Sequence, residues 1–333
     1  MHRPTGSLAR RTAAIERSRA DSFGWGKLEP RALYIADVNG SDPVSWCGIR
    51  LRGAWRACAG LALALSLGLA ACGSSAATPA PVPTSAGVHH ASLSVDGTKR
   101  TYRIFLPGSL DLKRKAPLVL ALHGRPSNGD EMATISNFDT QASIGGFIAV
   151  YPDGSNRGWY PDTAGQTYNV TFITRLLGRL ESDYPVDKTR VFIVGVSDGA
   201  GMTYELACKL SDRFAAMASV AGAMPLENCN PTMPVSVIEM HGTNDSTLKY
   251  AGAVDAIHRW VALDGCIGGP TLRTTGITET SLWKGCKDGT AVRLDSVLGG
   301  YHQWFGSAYA PVPGEPDSNS TIWDFFSSLA RPG

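Results

Sequence analysis

The chain has 333 residues, 43% of them hydrophobic, with 31 Lys/Arg against 29 Asp/Glu and a net charge of +2. This length and apolar share allow one full core of ordinary enzyme size plus extra segments. Residues 1–72 carry ten Lys/Arg against five Asp/Glu, leaving 21 against 24 in the rest, so the basic excess belongs to the front end and excludes a basic nucleic-acid-binding surface on the folded part.

In chain order, residues 1–43 lack a periodic apolar pattern and precede a complete export signal. They are expected to be an extended leader, or sequence upstream of a native start near Val44 or Leu51. Residues 44–72 read as a signal peptide: Arg50, Arg52 and Arg56 supply the positive segment, and Ala57 to Ala71 the apolar one, too short to span a bilayer comfortably. The signal ends Leu69-Ala70-Ala71-Cys72-Gly73, which resembles a bacterial lipobox. That resemblance implies cleavage before Cys72 and a lipid on its thiol; a plain secretory signal is the alternative. Residues 73–88 form a Ser/Ala/Pro tether that cannot bury a core. His89-His90 is expected to be a solvated pair at the edge of a catalytic domain spanning 89–333. The expected setting is outside the cell, anchored to the membrane through lipid or released.

Seven cysteines fit this setting. Cys47 and Cys58 leave with the leader and Cys72 is the lipid site. Cys208, Cys229, Cys266 and Cys286 remain, an even number that suggests two disulfides in an exported domain. Three connectivities are possible, and sequential pairing closes the shortest loops. No C-x-x-C or H-E-x-x-H pattern points to a metal, and no cofactor is expected.

The domain opens with a hairpin, Ala91 to Val95 and Lys99 to Leu106, turning at Asp96-Gly97. Strands are then expected at Pro117–Leu122, Phe147–Tyr151, Arg190–Val194, Ala215–Val220, Val235–Met240 and Ala291–Leu298. Helices are expected at Val170–Tyr184, Ala200–Leu210, Ala253–Leu263 and Thr321–Leu329. Continuous apolar strands alternating with helices predict an α/β fold, a mostly parallel sheet covered by helices on both faces. Ligands in such sheets bind at the carboxyl ends of the strands.

At one of those ends stands Gly195-Val196-Ser197-Asp198-Gly199, between a buried strand and a helix. A G-x-S-x-G in that context is the nucleophile elbow of α/β-hydrolases. A serine hydroxyl needs a base. Three histidines follow it: His241, His258 and His302. His302, in a Gly-rich loop after the last strand, is the expected base; His258 lies within a helix and His241 ends a strand. The base needs a carboxylate to fix its tautomer. Asp245, in the loop after Val235–Met240, suits that role better than Asp198 or Asp295; its alternative is an Asx-turn. The backbone N–H of Asp198 and that of Arg125, after Leu122-His123-Gly124, are the expected oxyanion donors. Asp198's side chain is expected to point away along the elbow helix, and His123 to be structural. Trp159, Tyr160 and Trp304 are candidate surfaces for stacking on substrate, with core packing as the alternative.

The chain resembles the esterase family of polyhydroxybutyrate-depolymerase-like proteins and bacterial feruloyl and acetylxylan esterases. The matching pieces, in order, include Val95-Asp96-Gly97, Arg100-Thr101-Tyr102, Leu122-His123-Gly124, Tyr151-Pro152-Asp153-Gly154, the elbow, Val220-Ala221-Gly222, His241-Gly242-Thr243-Asn244-Asp245, Gly299-Gly300-Tyr301-His302-Gln303-Trp304 and Ile322-Trp323-Asp324-Phe325-Phe326. They cover roughly residues 90–330 and imply an α/β-hydrolase fold with Ser197, Asp245 and His302 as its triad. The chain departs from the family at Tyr168-Asn169, where paired acids are common. It departs again at Tyr301, Gln303 and Phe305 in the His loop, and at Lys249 before Tyr250. The expected partner is an ester: a small ester, a polysaccharide-linked ester or a hydroxyalkanoate oligomer. A serine peptidase of this fold and a non-catalytic surface lipoprotein are the competing readings.

Overall fold

The computed structural model describes residues 82–159, 165–223, 228–308 and 311–331, all within one compact unit, Ala76–Gly333. The leader, the signal with Cys72, most of the tether, and Tyr160 lie outside the described residues. Among the described residues ten strands form one sheet. Its centre is parallel because apolar runs with no polar alternation can only be buried on both faces. β3 (Ala116–Leu122), β6 (Ala216–Val220) and β7 (Ser236–Gly242) are buried at every position. With β4 (Ile148–Pro152), β5 (Val186–Val196) and β10 (Val292–Val297) they run in the spatial order β4-β3-β5-β6-β7-β10, each pair parallel. The opening hairpin, β1 (Gly87–Val95) and β2 (Thr98–Leu106), adds antiparallel strands beside β4. β9 (Thr278–Trp283) and β8 (Thr271–Thr275) do the same beside β10.

Side chains alternate between two cores with the period of a strand. Leu118, Leu120 and Leu122 of β3 enter one core, and Val119 and Ala121 the other. Three helices pack on the first face: α3 (Gly165–Asp183), α4 (Asp198–Lys209) and α5 (Tyr250–Leu263). On the second face lie α1 (Gly129–Ser136), α2 (Phe138–Gly145) and α6 (Ser318–Ser327). This is the α/β-hydrolase architecture. Among the described residues no helix is long and apolar enough to cross a membrane.

Three features differ from the sequence expectation. β1 starts at Gly87, so the last two residues of the expected tether are strand; His90 in it meets Asp130 at 2.9 Å while remaining exposed. The β8–β9 hairpin was not expected, because every residue of β8 is exposed and its Thr-rich sequence carries no apolar alternation. α1 and α2 were also missed; each has eight residues and few large apolar groups, although Asn128 caps α1 by accepting from the Glu131 N–H, a signal present in the sequence. Cys208 is bonded to Cys229 and Cys266 to Cys286, the sequential pairing.

Candidate active site

Ser197 sits between β5 and α4 with φ 55° and ψ −118°, a region that L-residues rarely occupy. The flanking glycines allow this turn. A Cβ on Gly195 would lie 2.4 Å from the Gly199 backbone, and one on Gly199 would lie 2.5 Å from the carbonyl oxygens of Leu122 and His123. The Ser197 N–H donates to Val220 O at 3.0 Å, which ties the elbow to the end of β6.

The loop after β7 turns through Asp245. Its Oδ1 accepts from the N–H groups of Thr247 (2.8 Å) and Leu248 (2.9 Å), the Asx-type turn weighed from sequence, and its Oδ2 is left for the site. The loop after β10 is clipped to it: Asn244 N–H donates to Gly300 O at 2.9 Å, and Gly299 N–H donates to Thr243 Oγ1 at 2.9 Å. His302 is thereby delivered between the two. Its Nδ1–H donates to Asp245 Oδ2 at 2.7 Å, and its Nε2 accepts from the Ser197 hydroxyl at 2.8 Å. The Asp245 side chain is fully buried, whereas that of His302 is 21% exposed. This arrangement can draw the serine proton onto an imidazole whose opposite face is fixed by a carboxylate. The other histidines lie elsewhere. His258 is on the exposed side of α5, edge-on to Trp283. His241 is buried in β7, beyond Asp245. Asp295, in β10, is engaged by Arg293 and Thr280.

The loop after β3 brings Gly124 against Ser197 and Arg125 into the same cleft. Among the described residues the N–H groups of Arg125 and Asp198 have no hydrogen-bond acceptor. The Asp198 carboxylate does not run off along the helix. Its Oδ2 accepts from Trp159 N–H at 2.5 Å and from Arg125 Nε–H at 3.3 Å, so it ties the two amide-bearing segments together. Nothing in the G-x-S-x-G spacing signals this clamp. His123 is structural and neutral, held below the ordinary imidazole range by burial. Its Nδ1–H donates to Gly124 O at 2.7 Å and its Nε2 accepts from Gly154 N–H at 2.9 Å.

Of the aromatic candidates, Trp159 is buried (1% exposed) and packs on His123 while its indole N–H donates to His123 O at 2.9 Å. It supports the loop and offers no stacking surface. Trp304 is 2% exposed, packs edge-on against Phe138 and donates to Asn319 Oδ1, with only an edge reaching the cleft. That cleft has a volume of about 590 Å3. Met132, Ile135, Val196 and Trp304 line it together with Arg125, Glu131 and Gln303, and Ser197 and His302 open onto it. Among the described residues no group of three His, Cys, Asp or Glu is placed to hold a metal.

The fold and the serine at its elbow define the class as a hydrolase of the α/β type. The family model described as Esterase PHB depolymerase matches residues 100–230. The chain is 29% identical over 256 residues to the "Probable feruloyl esterase C" of Aspergillus niger, covering 73% of this chain and 88% of that protein. It is 29% identical over 239 residues to feruloyl esterase C of Emericella nidulans, covering 68% and 83%. An acetyl xylan esterase from Aspergillus awamori shares the fold with a TM-score of 0.55 at 18% identity, over 72% of this chain and 99% of that one. Over these stretches the chain is similar to polyhydroxybutyrate-depolymerase-like and feruloyl esterases, and it is a carboxylic ester hydrolase.

Proposed function

We propose that this chain is an exported, lipid-anchored serine esterase in which Ser197, His302 and Asp245 form the triad. The observation that carries the reading is the unbroken hydrogen-bonded line from Ser197 Oγ through His302 to Asp245, whose first two members line the cleft. Ser197 Oγ attacks the ester carbonyl while its proton passes to His302 Nε2. The carbonyl oxygen becomes an oxyanion held by the N–H groups of Asp198 and Arg125. Collapse expels the alcohol, which takes the proton from His302, and leaves an acyl group on Ser197. Water, deprotonated by His302, then releases the acid.

A cleft lined by both apolar side chains and polar ones suits an ester with an apolar or aromatic acyl group and a polar alcohol. The feruloyl esterases among the relatives put feruloyl esters first among substrates, ahead of acetylated polysaccharide and hydroxybutyrate oligomers. Export through the segment 44–72, with lipid on Cys72 and a tether of 73 to about 86, is supported by the two disulfides of the domain. The test is hydrolysis of p-nitrophenyl acetate and butyrate, then methyl ferulate, beside Ser197→Ala. The variant should lose on the order of a million-fold in kcat with an unchanged circular dichroism spectrum. Equal activity in the variant removes the triad, and hydrolysis of an amide counterpart at a comparable rate moves the reading to a peptidase.

A further inference from the structure

β7 buries a second histidine behind the catalytic carboxylate. Val237, Glu239 and His241 alternate onto the face covered by α4 and α5, and Glu239, His241 and Asp245 all have fully buried side chains. His241 Nδ1 lies 2.9 Å from Glu239 Oε1. Its Nε2 lies 2.9 Å from Leu248 O and 3.3 Å from Asp245 Oδ2. Every one of these neighbours is an acceptor. A neutral imidazole has one N–H and one lone pair, so either tautomer would aim a lone pair at an oxygen; only the imidazolium donates on both sides.

Charge leads to the same state. Two carboxylates in a dry interior with no cation between them would be far costlier than a carboxylate–imidazolium–carboxylate line. Among the described residues no Lys or Arg pairs with Glu239 or Asp245. The remaining groups that face the line are neutral or belong to the site. From α4, Tyr204 OH donates to Glu239 Oε2 at 2.9 Å; from the end of β6, Gly222 N–H donates to Oε1 at 3.2 Å. From α5, the Tyr250 ring stands 6.2 Å from His241 and its hydroxyl is engaged with Ser296 Oγ. On the far side of Asp245 lies His302. Burial alone would push His241 down, but Glu239, the Leu248 carbonyl and Asp245 outweigh it and hold the imidazole above its ordinary range.

We propose that His241 is a positioning residue, a fixed imidazolium between Glu239 and Asp245 that orients the catalytic carboxylate and sets the acid side of the pH dependence. It keeps both protons through the reaction and relays none. Asp245 Oδ2 is shared between His302 (2.7 Å) and His241 (3.3 Å), while Oδ1 rests on two amides, so the carboxylate has one available orientation. The positive charge also balances Asp245. Without it an uncompensated carboxylate would favour the His302 imidazolium, and the base would be lost at a higher pH.

This inference rests on the triad reading, but its first test does not. In the full chain labelled with 15N-histidine, His241, assigned by its loss in His241→Gln, should carry protons on both ring nitrogens at about pH 8, where an ordinary imidazole of pKa ~6.5 is mostly neutral. A singly protonated His241 at that pH overturns the proposal whatever the activity. In His241→Gln, which removes the positive charge beside Asp245, the acid limb of the kcat/KM profile should move up by about one to two pH units, with kcat reduced and KM nearly unchanged, whereas Glu239→Gln, which removes a negative charge and leaves the imidazolium facing Asp245, should not move it up. A purely structural role lowers activity equally at every pH, and a folded His241→Gln with an unmoved limb overturns the proposal. Failure of the triad reading would show instead as Ser197→Ala keeping its activity.

Discussion

The two ends of β7 bury carboxyl groups in opposite ways. At the carboxyl end, Glu239 and Asp245 are met by Tyr204, His241, His302 and backbone amides from three segments. At the amino end, Asp264 closes α5 and accepts from the Val235 N–H at 3.3 Å, while among the described residues its Oδ2 accepts no hydrogen bond. Burial pushes Asp264 up to about 7. The same side-chain chemistry therefore gives carboxyl groups held in one orientation at one end and a group that takes up a proton near neutrality at the other. What differs is the number of donors that converge on the oxygens. The active end is organised at the expense of nothing else in the strand, since the apolar positions between the two ends remain buried in both cores.

The largest break in this comparison is Asp245→Asn. With the carboxylate gone, His302 loses its fixed tautomer, and kcat should fall by about 10,000-fold with little change in thermal stability. Next is Asp198→Ala, which frees Arg125 and Trp159 from their shared acceptor; misplacing one oxyanion donor by about 1 Å should cost about 100-fold in kcat, measured on p-nitrophenyl butyrate.

Asp264 sharpens the comparison through stability. Its folded-state pKa is raised above the unfolded value, so its contribution is favourable below about pH 4 and is lost as pH rises toward 7. Asp264→Asn should flatten the fall in Tm between pH 4 and 8, a difference of a few kcal/mol at most, with kcat unchanged. An unchanged slope would mean that Asp264 is already compensated.

The disulfides compare the same two ends. They close loops of similar separation, 21 and 20 residues, so losing either pair should cost about 3 kcal/mol by the chain-entropy argument. Cys208 belongs to the elbow helix, whereas Cys266–Cys286 joins the segment after α5 to the β9–β10 connection. Replacing Cys208 and Cys229 by Ala should therefore lower kcat as well as Tm, and replacing Cys266 and Cys286 should lower Tm alone. The smallest effect is expected at the sheet's edge: Leu272→Lys in β8, where the side chain is 73% exposed, should stay within about 0.5 kcal/mol and leave activity unchanged.

Much of this molecule could be read from its residues. Apolar runs with no alternation specify strands buried on both faces wherever they sit in the chain, and β3, β6 and β7 follow within one or two residues. Two glycines around Ser197 specify a turn that no larger residue could make, and the order of Ser197, Asp245 and His302 along the chain marks groups that sit together in space. Elements held by their neighbours rather than by their own pattern were not legible: the polar β8–β9 hairpin, which is a strand pair because β10 offers it an edge, and the short helices α1 and α2. The stacking role weighed for Trp159 yielded to the packing of its ring on His123. The Asp198 clamp and the Glu239–His241–Asp245 line were decided by tertiary structure alone. Sequence determines which groups a chain carries and which segments must be buried, because hydrophobic pattern and turn sterics act locally. Which oxygen meets which donor depends on side chains from strands and loops tens of residues apart, and only the packed sheet brings them within hydrogen-bonding reach.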